Sequence, residues 1–590
     1  MDLKSLPFEQ IQRSRKRMRR ELLEIAALQP LRIAVLGGPT TNELVDFLEL
    51  LLLSDGFSPT FYQSEYNRFY EDATLDIQNV KAFKPDIVYI HTHFVSISGL
   101  PAPHFTEDDL RQLLDAELAR FDAVWESIHE NVGCQIIQNN FEHPPFASIG
   151  NIDSWIPGGQ SRFVYELNIA FAHAASRRRH LLINDINAIA ARIGLSAWFD
   201  WNRWYSYKIF TTPEASFELA RSLASMIGAL RGRVKKCLIL DLDNTLWGGV
   251  IGDDGLDRIQ IGMETAQAEA YTAFQKYCLN LRERGILLAV CSKNDEATAR
   301  TGFTHPDSVL KLEHFAAFKA NWLPKPDNIQ QIALELSLGL DSFVFVDDNP
   351  AERAIVEAQL PTVAVPDVGS EVSGFQSIIQ AGRYFEMVSF SQEDLGRAAA
   401  YVANQARTAV KAKFSDYGAY LDSLQMTAEI GRFKSVYLER ITQLINKTNQ
   451  FNLTTRRYTT AEIEQIASDN HYIALFGRLT DTFGDNGLVS VIIGRMAGAI
   501  IHLDLWIMSC RVLKREMEFA MLDALVEHAQ LVGATDIVGY YRRTPKNSMV
   551  EDHYQSNGFE LESSDELGES TCWHLAIGSY KRKNNHIKVR

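Results

Sequence analysis

The chain has 590 residues, 46% of them hydrophobic and 23% charged, with a formal net charge of −15; that length is too great for one core and predicts about three or four domains. The negative balance argues against nucleic acid as a general partner. No apolar run approaches the ~20 residues of a membrane-spanning helix, since the longest, Val45 to Leu53, is broken by Asp46 and Glu49.

Residues 1–30 lack the apolar core of a signal peptide and carry Arg13, Arg15, Lys16, Arg17, Arg19 and Arg20, which reads as a solvated basic helix that packs or docks. The six cysteines, Cys134, Cys237, Cys278, Cys291, Cys510 and Cys572, are scattered without a CxxC pair. Reduced thiols in a cytoplasmic protein are the expectation.

Residues 31–233 alternate apolar strands with helical patterns: Arg32 to Gly38, Asp86 to His91 and Gly133 to Asn139. That is the pattern of a doubly wound α/β domain, and it resembles SGNH-hydrolase-like domains. An active member would place a serine after its first strand, where this chain has Gly37-Gly38-Pro39-Thr40-Thr41, and no Asp-x-x-His pair follows near Asp200. Thr40 or Thr41 still offers a hydroxyl. His91 and His93 read as structural or substrate-contacting residues, and the domain as a non-hydrolytic scaffold or docking module.

Residues 234–370 carry the chemistry. Cys237-Leu-Ile-Leu-Asp-Leu-Asp-Asn-Thr-Leu-Trp247 is a buried strand ending in two acids one residue apart. On an extended backbone Asp241 and Asp243 point the same way, so one can attack phosphorus while the other handles a proton or helps to hold a cation. Three more segments complete a phosphoryl-transfer set. Leu287 to Asn294 closes on the hydroxyl of Ser292, Lys325 precedes a helical pattern, and Ser342 to Pro350 ends in Asp347 and Asp348, oxygen ligands for a hard cation.

This order resembles the haloacid dehalogenase-like (HAD) phosphatase superfamily. The segments Leu-Trp-Gly-Gly-Val-Ile-Gly-Asp-Asp-Gly255, Val-Cys-Ser-Lys-Asn294, Asn321-Trp322 and Val-Asp-Asp-Asn-Pro-Ala-Glu-Arg353 resemble its FkbH-like subfamily, in which an SGNH-like domain often precedes the core. The resemblance implies Asp241 as nucleophile, Asp243 as acid and base, Ser292 and Lys325 as phosphate contacts, and Mg²⁺ held by Asp241, the carbonyl of Asp243 and one of Asp347 or Asp348. Thr245, Asn294 and Asn349 are expected to contact substrate. The implied reaction removes phosphate from an activated phosphoglycerate, a phosphorylated three-carbon metabolite, and leaves the glyceryl group on the phosphopantetheine thiol of an acyl carrier protein. Cys291 stands where a relay thioester could form; a small buried hydrophobe is the other reading. The short segments between the motifs leave no room for a large cap domain, so the site should be open to a macromolecular partner.

Residues 371–425 read as a helical linker. Residues 426–590 then show strands Tyr472 to Arg478, Gly487 to Ile493 and Ile500 to Ile507 and a helix from Arg515 to Gln530, an order that resembles the GNAT acyltransferase fold. In that family the loop before the helix holds the pyrophosphate of coenzyme A. Here Ser509 to Glu516 places Lys514 and Glu516 where glycines are usual, so a phosphopantetheine arm without pyrophosphate is one expected ligand, contacted by Arg511 and Lys514, and a silent packing domain is the other. The basic clusters Arg456/Arg457, Arg511/Lys514/Arg515 and Arg542/Arg543/Lys546 offer docking surfaces or plain solvated surface.

The expected architecture is therefore multidomain α/β: an SGNH-like domain, a HAD-like core without a large cap, and a GNAT-like α+β domain. Three readings stay open: an enzyme that loads a carrier protein, a stand-alone Mg²⁺-dependent phosphatase, and a carrier-docking scaffold. No nucleic acid or membrane is expected as a partner.

Overall fold

The structure, a computed structural model, describes residues 3, 6–25, 28–389, 403, 404, 407, 410, 411, 413–544, 546–565 and 568–590, without the side chain of 510. The chain divides into two compact units, residues 1–228 with 459–462, and residues 229–458 with 463–590.

In the first unit the basic N-terminal helix, Phe8–Leu23, is amphipathic. Ile11, Met18 and Leu22 are buried, while Arg19 pairs at 2.7 Å with Glu49 of the helix Asn42–Ser54. It packs, and is not merely solvated. Strands β1 (Gln29–Gly37), β2 (Phe57–Gln63), β3 (Ile87–His91), β4 (Gln135–Asn139) and β5 (Leu181–Asn184) form a parallel sheet in the order β2-β1-β3-β4-β5. The two strands that the sequence pattern did not announce are its edges. β2 contains Pro59, which an edge tolerates because one side of it needs no ladder donor, and β5 is only four residues long.

In the second unit β6 (Cys237–Leu240), β7 (Leu287–Ser292), β8 (Phe315–Ala320) and β9 (Phe343–Val346) form a parallel sheet in the order β8-β7-β6-β9. Side chains alternate between two apolar layers. Leu238, Leu240, Leu288, Val290, Val344 and Val346 face Tyr271, Phe274 and Leu281 of the helix Ala266–Glu283. Cys237, Ile239, Ala289, Cys291 and Phe345 face Ile329, Ile332 and Leu336 of the helix Lys325–Leu336. Covering both faces leaves only strand ends for polar chemistry. Leu240 lies opposite both Val290 and Val346, so the residues that follow β6, β7 and β9 emerge along one edge. Between β6 and β9 the described elements are short loops and the helices that cover the sheet, with no inserted cap domain.

The expected linker is not free at either end. Helix Val372–Ala381 packs Phe375 and Ile379 into the phosphatase-side core, and helix Tyr417–Ser423 gives Tyr420 and Leu421 to the last domain; most of the stretch between lies outside the described residues.

The last domain is an eight-stranded mixed sheet, ordered β15-β16-β14-β13-β12-β11-β10-β17. Its strands are β10 (Thr427–Arg432), β11 (Tyr472–Asp481), β12 (Gly484–Ala497), β13 (Ile500–Met508), β14 (Asp536–Arg542), β15 (Glu560–Ser564), β16 (Ser570–Ala576) and β17 (Lys588–Val589). Helix Met517–Leu531 covers one face. β13 and β14 pair in parallel only from Ile500/Asp536 to Leu503/Gly539. Beyond that point Leu453 lies between them, its N–H donating to Trp506 and its carbonyl accepting from Arg542 at 2.8 Å. Among the described residues no helix is long and apolar enough to cross a membrane.

Candidate phosphoryl-transfer site

The edge at which β6, β7 and β9 end gathers the acids of the two Asp-rich segments. Oxygens of Asp241, Asp347 and Asp348 lie within 4.8 Å of one another, the first two residues being buried. Lys325, the first residue of its helix and itself buried, reaches across with its Nζ 3.0 Å from Oδ1 of Asp241 and ion-paired to Asp347. Burial opposes the lysine's charge, but Asp241 and Asp347 outweigh it and raise its pKa. Three carboxylates against one ammonium leave a local negative excess, which burial makes costly. Asp347 and Asp348 are both held above the usual carboxylate range, first by burial and then by Asp241. An oxygen-only donor set with that excess fits a divalent hard cation.

Asp243 stands apart from this cluster. Its carboxylate accepts from Trp247 Nε1 at 2.9 Å, from the Ile251 N–H at 3.1 Å and from Asn294 Nδ2 at 3.0 Å. These donors stabilise its anion, yet burial, with Asp241 and Asp348 nearby, raises its pKa. A fixed carboxyl inclined to keep its proton suits acid–base work. Its side chain is not a member of the cation cluster.

Neighbouring residues hold the two acid-bearing turns. The Thr245 hydroxyl accepts from the Asp348 N–H at 3.2 Å and lies 3.4 Å from its carboxylate, so this residue, expected to touch substrate, orients a carboxylate. Asn294 likewise orients Asp243. Asn349, also expected at the substrate, caps the helix Pro350–Gln359 by accepting from the Ala351 N–H at 2.9 Å. Arg353 donates to the carbonyls of Asp347 and Asp348 at 2.7 and 2.8 Å. Asn244 adopts a left-handed φ of 54° and accepts from the Gly249 N–H at 2.9 Å. Motif reading gave Trp247, Arg353 and Asn244 no role; the clues were a donor four residues past Asp243, a cation on the helix after Asp348, and an asparagine at a sharp turn.

Ser292 ends β7 at this edge, and its carbonyl accepts from the Asn321 N–H at 3.1 Å. Cys291 needs correction as a catalytic residue. It points to the opposite face, buried among Ile329, Ile332 and Phe345, with its Sγ 3.7 Å from the Lys325 carbonyl. Burial pushes its thiol pKa up, the reverse of what a nucleophilic thiolate needs. The hydrophobe reading describes it.

Arg511 and Lys514 belong to the loop before helix Met517–Leu531 in the last domain. Lys514 and Glu516 hold left-handed φ values of 64° and 61°, conformations that cost a residue with a side chain about 1–2 kcal/mol. The glycine-like path of the loop is thus kept without glycine. Arg515 is tied to Asp481 at 2.9 Å beside Arg407. The helix starts beside Glu516 and Glu518, and burial, then Glu516, raises the Glu518 pKa, so acids already stand where an anion would seek the positive helix end.

In the first unit Thr40 donates to the Tyr207 carbonyl at 2.9 Å and Thr41 to Gln63 at 3.0 Å. His91 meets the Tyr89 hydroxyl at 3.0 Å, His93 meets Glu142 at 3.2 Å, and Asp200 caps the helix Trp201–Tyr207. Among the described residues no histidine is hydrogen-bonded to either threonine hydroxyl.

Among solved structures, the chain is similar to the N-terminal part of BF1531 from Bacteroides fragilis, described as containing a phosphatase domain complexed with Mg, at 30% identity over 64% of this chain and 99% of that one, with a TM-score of 0.59. Lesser likenesses include the ribosomal-protein-S18-alanine N-acetyltransferase of Escherichia coli, at 12% identity over 27% of this chain and 99% of that one, TM-score 0.21. A GNAT-family acetyltransferase from Streptococcus pneumoniae is 17% identical over 26% of this chain and 100% of that one, TM-score 0.22. No protein-family model and no curated protein matches the chain. With its acids, lysine and parallel sheet arranged for phosphoryl transfer, the chain belongs to the same family as the phosphatase-domain protein BF1531.

Proposed function

We propose that the protein is a Mg²⁺-dependent phosphatase of the FkbH-like type that dephosphorylates an activated phosphoglycerate-like unit and delivers the glyceryl group to the phosphopantetheine thiol of an acyl carrier protein. The observation that carries the phosphatase part is the meeting of Asp241, Asp347 and Asp348 around Lys325 at an uncapped strand edge. When bound, the cation supplies charge neutralisation between the carboxylates and the incoming phosphate. Asp241 attacks phosphorus, forming an O–P bond as the ester P–O bond breaks, and Asp243 gives its proton to the leaving oxygen. Water then attacks phosphorus, its O–P bond forming as the aspartyl O–P bond breaks to free the Asp241 carboxylate and inorganic phosphate, while Asp243 takes the water's proton. Lys325 holds Asp241 in line and offsets its charge. Acyl delivery forms a carbon–sulfur bond to the carrier thiol as the carbonyl carbon loses its activating group; the thiol proton leaves to solvent.

The burial of Cys291 favours direct delivery over a relay through an enzyme thioester, and it equally suits the second reading, a phosphatase acting on a free phosphoester. Incubation with Mg²⁺, activated phosphoglycerate and a phosphopantetheinylated carrier, followed by intact-mass measurement of the carrier, separates the two. A glyceryl mass gain is expected; phosphate release without gain across several carriers would leave the phosphatase alone.

A further inference from the structure

Trp322 stands 75% exposed and Leu323 48% exposed, one turn of chain ahead of the buried Lys325. Their loop is held in place. The Asn321 N–H donates to the Ser292 carbonyl at 3.1 Å, the side-chain amides of Asn321 and Asn328 exchange hydrogen bonds at 3.1 and 2.9 Å, and Asn321 Oδ1 accepts from the Leu323 N–H at 3.0 Å. A fixed loop that presents an indole to water forgoes the burial such a side chain normally gains, and tryptophan is among the side chains that most often carry binding energy at an interface.

Position decides what this anchor meets. Trp322 follows β8 by two residues, and β8 lies two strands from β6 in the order β8-β7-β6-β9. At the usual strand spacing the two ends are roughly 10 Å apart. A three-carbon unit whose phosphorus sits at Asp241 reaches only about 5 Å beyond it, from ordinary bond lengths. Whatever covers Trp322 therefore lies beyond the small metabolite. The chain supplies no cap to do so among its described elements between β6 and β9.

We propose that Trp322, with Leu323, is the platform on which the substrate-bearing arm of a partner protein lies while its tip is at the catalytic acids. This rests on the carrier-loading reading above and names the residue that reads the partner. Apolar contact along the arm, rather than ion pairing, sets the affinity, because the flanking cations Lys293 and Lys319 are already paired with Glu352 and Glu335 at 2.6 and 3.0 Å.

The test compares Trp322→Ala and Trp322→Phe with the parent enzyme in two assays: turnover of p-nitrophenyl phosphate with Mg²⁺ and no carrier, and glyceryl loading as a function of phosphopantetheinylated carrier concentration. Trp322→Ala should raise the KM for carrier by at least about tenfold, the loss of one anchor contact, with p-nitrophenyl phosphate turnover within about twofold of the parent, and Trp322→Phe should recover part of the affinity. An unchanged carrier KM overturns the platform while leaving carrier loading intact. Equal losses in both assays overturn it too, since the loop would then act through Lys325. A parent that hydrolyses p-nitrophenyl phosphate but loads no carrier removes the loading reading and the platform with it. A parent that dimerises through this face, with Trp322→Ala monomeric, assigns the indole to self-association and also overturns it.

Discussion

Two parallel sheets in this chain place polar residues at the carboxyl ends of their strands, and they treat them in opposite ways. At the edge of β1, β3 and β4 polar groups engage one another: Tyr89 with His91 and Asn139, His93 with Glu142, Asn140 with Asp185. At the edge of β6 and β9 three like charges crowd together with one lysine between them. At the first edge the groups pair largely with one another, His93 Nε2 and Glu142 Oε2 excepted; at the second, uncompensated charge makes a place for a cation and a phosphate. The two sheets differ in strand order, β2-β1-β3-β4-β5 against β8-β7-β6-β9, and they differ again in the charge balance at their strand ends, which is where function is set.

The sharpest way to break this contrast is to remove the nucleophile. Asp241→Asn should lower phosphate release by at least about 10³-fold, because the covalent step disappears, whereas Thr40→Ala, at the corresponding edge of the other sheet, should leave it unchanged. Chelation with EDTA should silence the parent to a similar degree and Mg²⁺ should restore it. A malachite-green assay of released phosphate reads all of these, and surviving turnover in Asp241→Asn would exclude the carboxylate as nucleophile.

Asp243→Asn should cost less and should depend on the leaving group. Loss of a general acid typically costs about 10²–10⁴-fold. An alkyl phosphate needs its leaving oxygen protonated and should suffer the larger drop; p-nitrophenolate leaves without a proton and should suffer the smaller one. Equal losses for the two substrates would assign Asp243 a purely structural task.

How far this contrast was legible beforehand differed between levels. Asp241, Asp243, Asp347 and Asp348 stood out because acids ending an apolar run are chemically odd, and Lys325 because it precedes a helical pattern. Strands β2, β5 and β8 did not, since Pro59, a four-residue length and the three alanines and Lys319 of Phe315 to Ala320 weaken the apolar signal at sheet edges. Spacing showed that Ser292 and Cys291 alternate, but the burial of Cys291 needed the helix Lys325–Leu336 laid over that face. Thr245 and Asn349 looked like substrate contacts because hydroxyl and amide groups beside a nucleophile usually are. Only coordinates reveal that one orients Asp348 and the other caps a helix.

The charge crowding predicts a stability effect of opposite sign to the activity effect. Without metal, Asp348→Asn removes one of the mutually repelling carboxylates and should raise the melting temperature, by an amount corresponding to about 1 kcal/mol. Adding Mg²⁺ should then stabilise the parent more than the variant, because binding to the folded state is lost with the ligand. Scanning fluorimetry with and without Mg²⁺ measures both, and a less stable metal-free variant would mean that the three acids do not repel.

The smallest effect belongs to the other sheet and to pH. His180 stacks on His129 with ring centroids 3.8 Å apart, and burial, followed by the His129 charge, lowers its pKa to about 4, with Glu126 opposing and Arg178 adding to the shift. An unfolded histidine titrates near 6.5, so between about 6.5 and 4 the unfolded chain binds the extra proton and the folded chain does not. This contribution to stability is complete above about 6.5 and declines as the pH falls through that window. His180→Phe keeps a flat ring against His129 and removes the proton site, so the drop in urea midpoint from pH 7.5 to pH 5 should be smaller in the variant than in the parent. If the two proteins lose stability in parallel on acidification, the acid sensitivity of this domain resides elsewhere, with the buried His91, whose pKa is also lowered by burial and by His93, the next residue to replace.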